Sequence, residues 1–212
     1  MSTSGPAAAP VSCGFDLDLT LVDTRGRILA SAVAAFAELG VEVSEEHVVP
    51  YLGVPLTVLA GGLAPAADPT AFVDRYRHHY SLKHLAPCSP MPGARTALLA
   101  VRAAGHRVVV VSAKLHRFVR EALIGADLDD LVDAIHGELF AADKGPALAR
   151  EHAWAYLGDH PGDVVAATAA GALAIGVATG AHDGAALRAA GAGVVLEDLH
   201  AFPDWYADRN GP

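Results

Sequence analysis

Apolar runs that end in a polar tip, each separated from the next by a helical stretch, restrict this chain more than any other feature. "HRVVVVSAK" is apolar up to Ser112, "AWAYLGD" up to Asp159, and "VSCGFDLD" up to Asp16 and Asp18. Further strand-like runs, "DAIHGEL", "ALAIGVATG" and "GVVLED", alternate with helical "LHRFVREALIGA", "KGPALAREH", "DVVAATAAG" and "GAALRAAG". A strand that is apolar on both faces needs cover on both faces, which a parallel sheet between helical layers supplies. The predicted fold is therefore α/β, a Rossmann-like doubly wound parallel sheet. Ligands in such sheets bind beyond the carboxyl ends of the strands, where these polar tips fall.

The alternation is interrupted early. From Arg25 to Ser89 the pattern is helical: "ILASAVAAFAELG" ends at Gly40, a C-cap residue, and "SEEHVVPYLG" opens on Ser44, an N-cap. "PLTVLAGGL" follows, and then "DPTAFVDRYRHHYSLKHL", with Asp68 as cap and Pro69 at the first helical position. No strand is expected within this block, which closes at the Pro-rich "APCSPMPGA". The predicted organisation is a disordered tail over 1–10, an α/β core over 11–24 and 90–212, and an inserted helical cap over 25–89.

The net charge of −9 and the absence of a long basic run argue against nucleic acid or an anionic membrane surface as partner. No window is apolar enough to span a bilayer, and "MSTSGPAAAP" lacks the basic start and apolar stretch of a signal peptide. A cytoplasmic protein is expected. Cys13 sits in an apolar run, and neither it nor Cys88 has CxxC spacing, so no zinc site or disulfide framework is expected.

The acidic tips pose an energetic question. In "GFDLDLTLVDT" a strand would turn Asp16 and Asp18 to one face, and burying unpaired carboxylates costs several kcal/mol each. A cation or a lysine must compensate them. Along the chain the polar groups come in the order Asp16-Leu17-Asp18-Leu19-Thr20, then Ser112, then Lys144 in "ADKGPAL", then Asp159 and Asp163 in "GDHPGD". That series resembles the haloacid dehalogenase superfamily, where a DxDx(T/V) strand end, a Ser/Thr strand end, a Lys and a GDxxxD appear in this order. The helical block after the first motif resembles the small cap of the phosphoglycolate-phosphatase-like branch. The resemblance covers nearly the whole chain, from about Val11 to Leu196.

The resemblance implies a Mg2+-dependent phosphatase acting on a small phosphomonoester, a phosphorylated metabolite, through an aspartyl-phosphate. Asp16 would be the nucleophile, and Asp18 the acid that protonates the leaving oxygen and then activates water. Thr20, Ser112 and Lys144 would serve the phosphoryl group, Thr20 by fixing the loop. Asp16, Asp18 through its main-chain carbonyl, Asp159 and Asp163 would supply the oxygen ligands that Mg2+ prefers, with Asp163 acting directly, through water, or by holding Lys144.

Two departures stand out. Leu19 occupies a position that is usually Gly, which predicts a slightly different turn, since Leu lacks Gly's access to positive φ. The interval from Lys144 to Asp159 is short, which predicts a trimmed segment and a displaced lysine.

Asp18 is the residue that carbon–halogen dehalogenases lack, so phosphate chemistry is favoured. A phosphonate hydrolase would need a cap lysine, and only Lys83 is present. A phosphosugar mutase or a pyrophosphatase shares the whole core, and a catalytically silent binding module would keep the fold without the chemistry. A dinucleotide oxidoreductase would need GxGxxG where "DLDLTL" stands.

Other residues read as follows. Asp23 is a loop carboxylate at the hinge. His78, His79 and His84, with Arg75, Arg77 and Lys83, form a basic face that serves anionic substrates if it overhangs the site. "GVPL" (Gly53 to Leu56) resembles a substrate-touching cap loop. Lys114 is either a second phosphate-side contact or surface, His160 is either a loop histidine or one that reaches the substrate, and Trp154 and Trp205 are packing residues.

Overall fold

The computed structural model describes residues 11–83 and 88–210; the expected tail and His84 lie outside the described residues. The strands are β1 (Ser12–Phe15), β2 (Val22–Asp23), β3 (Ser89–Pro90), β4 (Arg107–Val111), β5 (Ala134–His136), β6 (Ala153–Gly158), β7 (Leu173–Val177) and β8 (Val194–Leu196). Six of them form one sheet in the order β5-β4-β1-β6-β7-β8, with every neighbouring pair parallel. This is the doubly wound α/β architecture. From β1 the chain builds outward through β4 to β5, then returns to the other side of β1 and builds outward again through β6, β7 and β8. The strand order therefore reverses beside β1, where such sheets form a crevice.

Apolar residues alternate between two buried clusters, as a sheet covered on both faces requires. Val108 and Val110 join Cys13, Phe15 and Leu157 on one side; Val109 and Val111 join Tyr156 and Leu148 on the other. The helical block comprises α1 (Arg25–Glu38), α2 (Glu45–Val48), α3 (Leu56–Leu63) and α4 (Pro69–Lys83). It carries a third cluster around Phe36, Leu59, Phe72 and Tyr80. Asp68 accepts from the Thr70 N–H at 2.9 Å, capping α4 ahead of Pro69. The core helices are α5 (Ala94–Ala103), α6 (His116–Gly125), α7 (Gly145–Arg150), α8 (Pro161–Ala170), α9 (Gly184–Ala189) and α10 (Phe202–Asn210). Among the described residues no helix is long and apolar enough to cross a membrane. Cys13 and Cys88 are both buried and free.

Three features differ from the sequence reading. A two-residue antiparallel pair, Val22 with Pro90 and Asp23 with Ser89, ties the two ends of the helical block together. Two residues on each side are too few to produce a periodic signal. The C-terminal helix α10, unremarked in the sequence, packs Phe202 edge-to-face on Phe15 with ring centroids 5.8 Å apart, and its Trp205 stacks on Trp154 at 6.2 Å. Finally, β1 ends at Phe15, so Asp16 and Asp18 leave the sheet within a tight loop. The Leu17 carbonyl accepts from the N–H groups of Thr20, Leu21 and Val22, and Leu19 adopts φ +59°.

Leu19 thus takes the left-handed conformation that Gly would take, at a cost of about 1–2 kcal/mol for an L-residue. Its side chain is 2% exposed in the helical block's cluster, and that burial, on the order of 2 kcal/mol, offsets the strain. Stability is therefore expected to rank Leu19 above Leu19→Gly above Leu19→Ala, the reverse of the usual Gly–Ala order, because Ala loses the burial and keeps the strain. Urea denaturation measures the ranking; Ala more stable than Gly would show that the turn is unstrained.

Candidate active site

The polar tips meet above the carboxyl ends of β1, β4 and β6. Asp16 follows β1, its N–H held by the Leu157 carbonyl at 2.8 Å. Asp159 follows β6, and Asp163 sits in the first turn of α8. One carboxylate oxygen from each of these three buried aspartates lies within 4.8 Å of the others. Lys144, 3% exposed, donates to Asp16 at 2.9 Å, to Asp163 at 2.7 Å and to the Tyr156 hydroxyl at 2.8 Å. The Tyr156 hydroxyl in turn donates to the Val111 carbonyl at 2.7 Å.

Despite the short interval before Asp159, Lys144 reaches the site. Glu138 and Ala141 take positive φ in the segment before it, folding that segment tightly. Tyr156 was not singled out in the sequence. It lies on an apolar strand, and only the tertiary structure brings its hydroxyl to the lysine.

Burial raises Asp16 to about 7; Lys144 pulls it down, while Asp163 and Asp18 push it up. Burial also drives Asp159 well above the usual carboxylate range, aided by Asp16 and Asp163 and opposed by a hydrogen bond from Thr20. For Lys144, burial works against the ammonium, but Asp16 and Asp163 outweigh it and hold its pKa above the usual lysine value. Three carboxylates with one ammonium leave the cluster short of positive charge. The donor set is all oxygen and buried, which fits a small hard cation such as Mg2+.

Thr20 donates to Asp159 at 3.1 Å, so its hydroxyl orients a carboxylate of the cluster. Ser112, 1% exposed, accepts from the Lys114 N–H at 3.2 Å. With Asp16, Asp18, Lys144 and His160 it lines a cavity of about 20 Å³, room for one small group. Asp163 holds Lys144 and also accepts from the His160 N–H at 3.1 Å. His160 caps α8, its Nδ1 accepting from the Gly162 N–H at 2.9 Å.

Asp18 diverges from Asp16. Its carboxylate lies outside the three-aspartate cluster and takes an ion pair from Lys114 at 3.0 Å and a hydrogen bond from Thr24 at 2.5 Å, both on Oδ1. The Lys114 side chain is turned inward, only 8% exposed. Burial disfavours its charge, but Asp18 outweighs that and holds its pKa above the usual value. Asp23 accepts from the Arg25 N–H at 3.1 Å as a loop carboxylate. On α4 the basic face is split: Arg75 and His79 pair with Glu38 at 3.5 and 2.8 Å, whereas Arg77 lines a second cavity between the helical block and the sheet domain.

Two glycines set the approach distances. A Cβ on Gly158 would fall 2.2 Å from Asp163, and one on Gly180 only 1.8 Å from Asp159 Oδ2. Gly180 ends "ALAIGVATG", where it read as an ordinary strand terminus. Across the cleft, Gly53 of the "GVPL" loop, at φ +89°, places its missing Cβ 3.1 Å from the His160 ring.

Residues 14–177 match the family model described as haloacid dehalogenase-like hydrolase, and the chain belongs to that family. It is an enzyme of the hydrolase class. It is 31% identical over 219 residues to a phosphoglycolate phosphatase of Rhodospirillum rubrum, covering 92% of this chain and 90% of that one. It is 29% identical over 201 residues to the "Probable phosphatase IndB" of Dickeya dadantii, covering 86% and 87%. Its fold matches the crystal structure of a predicted phosphatase from Clostridium acetobutylicum with a TM-score of 0.84 at 22% identity, covering 95% and 100%.

Gly180→Ala is expected to push aside the Asp159 carboxylate and to weaken divalent-cation binding at the three-aspartate cluster by about 10–100-fold, the range for changes beside metal-binding side chains. Calorimetric titration with Mg2+ on folded variant measures it; wild-type affinity would show that the close approach to Asp159 is dispensable.

Proposed function

We propose that this protein is a Mg2+-dependent phosphatase of small phosphomonoesters that works through an aspartyl-phosphate on Asp16. The observation that carries this reading is the position of Asp18. It lines both the small cavity holding Asp16, Ser112 and Lys144 and the larger one beneath the helical block. A phosphoryl group seated against Asp16, with its alcohol in the larger cavity, would put the bridging oxygen beside Asp18. The similarity to phosphoglycolate phosphatase supports the same class of chemistry.

Asp16 attacks phosphorus as the bond to the alcohol oxygen breaks, and Asp18 gives that oxygen a proton. Asp18 then takes a proton from a water that attacks the phosphorus, releasing inorganic phosphate and restoring the Asp16 carboxylate. Thr24 and Lys114 hold Oδ1 of Asp18, which leaves Oδ2 for proton transfer. Ser112 donates to a phosphoryl oxygen. Lys144 supplies positive charge beside the nucleophile and keeps its orientation fixed through Asp163 and Tyr156. Mg2+, held by Asp16, Asp159 and Asp163 with the main-chain carbonyl of Asp18, would neutralise phosphate charge that otherwise repels a carboxylate nucleophile. Thr20, by fixing Asp159, is a positioning residue.

Hydrolysis of phenyl phosphate with Mg2+ tests the assignment. Asp16→Asn is expected to abolish turnover, Asp18→Asn to lower kcat by about 10²–10⁴, and a chelator to remove wild-type activity until Mg2+ is restored. Wild-type rates in folded Asp16→Asn would reject the nucleophile.

A further inference from the structure

The cavity that opens from Asp18 between the helical block and the sheet domain has a volume of about 340 Å³. At about 30 Å³ per water it holds roughly eleven water volumes, and it falls at the low end of the range for pockets that enclose drug-sized ligands. A two-carbon acid would leave most of it to water. Its wall is largely apolar, with aliphatic Ile28, Val54, Leu56 and Leu59 beside four aromatic rings. Tyr51, Tyr76, Tyr80 and Phe118 all line it, with Tyr76 and Tyr80 stacked at 5.8 Å and Tyr80 against Phe118 at 4.9 Å. Tyr76, Tyr80 and Phe118 are buried and packed on one another, so they form a rigid apolar floor against which a flat apolar body can lie.

Two cations also reach this space. Lys114 is committed to Asp18 at 3.0 Å and lies 4.2 Å from the centre of the Tyr80 ring. Arg77 is different: its Nε is buried and has no hydrogen-bond partner among the described residues. The acids lining the cavity are Asp18, already paired, and Glu138, which is exposed. An unsatisfied buried donor is unfavourable, and the guanidinium fork matches a carboxylate or phosphate in two-point geometry.

We infer that this cavity selects, as the alcohol part of the substrate, a ring-bearing group that carries an anionic substituent, with the rigid apolar wall receiving the ring and Arg77 the anion. This rests on the phosphatase reading above and narrows its substrate class away from two-carbon acids. Arg77 is then a specificity-determining residue, and it touches neither the phosphoryl group nor Asp16.

The test compares kcat/KM for 3- and 4-carboxyphenyl phosphate, phenyl phosphate and 2-phosphoglycolate with Mg2+, in wild type and Arg77→Gln. At least one carboxyphenyl ester is expected to exceed both phenyl phosphate and phosphoglycolate by tenfold or more. Arg77→Gln is expected to reduce the carboxyphenyl-over-phenyl preference to less than threefold, mainly through KM. In wild type alone, the matching hydroxybenzoate should inhibit at least tenfold more strongly than phenol, a readout that needs no variant. Phosphoglycolate as the best substrate, or a preference that survives Arg77→Gln, would overturn this inference and leave the phosphatase reading standing. Failure to hydrolyse any of the four would overturn both.

Discussion

A buried ammonium between two carboxylates is the contact on which this site depends. Lys144 lies within hydrogen-bond distance of Asp16, Asp163 and Tyr156 at once, deep enough that water cannot substitute for any of them. Removing one member of such a set leaves the others charged and desolvated, at a cost of about 3–5 kcal/mol. The fold keeps this cluster together: Asp16 follows β1, Tyr156 lies within β6, Lys144 immediately precedes α7 and Asp163 sits in the first turn of α8. Gly158 and Gly180 then let the carboxylates approach at distances that any Cβ would block.

A second ammonium divides the work. Lys114 serves Asp18 as Lys144 serves Asp16, so two carboxylates only two residues apart in sequence face different surroundings. The tight loop after β1 makes this possible. Had the strand continued, both side chains would share one face and one cation. Leu19 in the left-handed conformation turns the chain, and its side chain is anchored in the helical block. The residue that shapes the loop after β1 is thus also one that joins the two layers of the molecule.

The sheet was legible because "VVVV" and "AWAYLG" are long, apolar and bounded by polar tips, a local pattern with one economical solution. The membership of Asp16, Asp159 and Lys144 in one cluster was legible only through the order of the motifs, which their geometry now accompanies. Tyr156, Gly180 and Thr24 were not legible, since a hydroxyl on an apolar strand, a glycine at a strand end and a threonine before a helix each have commoner structural uses. Lys114 was left open for the same reason: sequence places it one residue beyond Ala113 but does not say whether the chain turns it inward. The β2–β3 pair escaped because two-residue strands have no period, and α10 because it runs on directly from the 3-10 turn Leu199–Ala201.

The strand order also dictates when the sheet can assemble. β1 lies between β4 and β6, so Cys13 pairs with Val108 on one side and Ala155 on the other. A ribosome makes β1 before either neighbour, and the whole helical block emerges before the first of them. β1, buried along its whole length, therefore waits, unpaired, until β4 is made from Arg107 onward. Contacts so distant in sequence form slowly and leave a strand edge open to other chains meanwhile. The helical block, whose contacts are local, has time to become compact first and stands beside that strand as the rest of the sheet arrives.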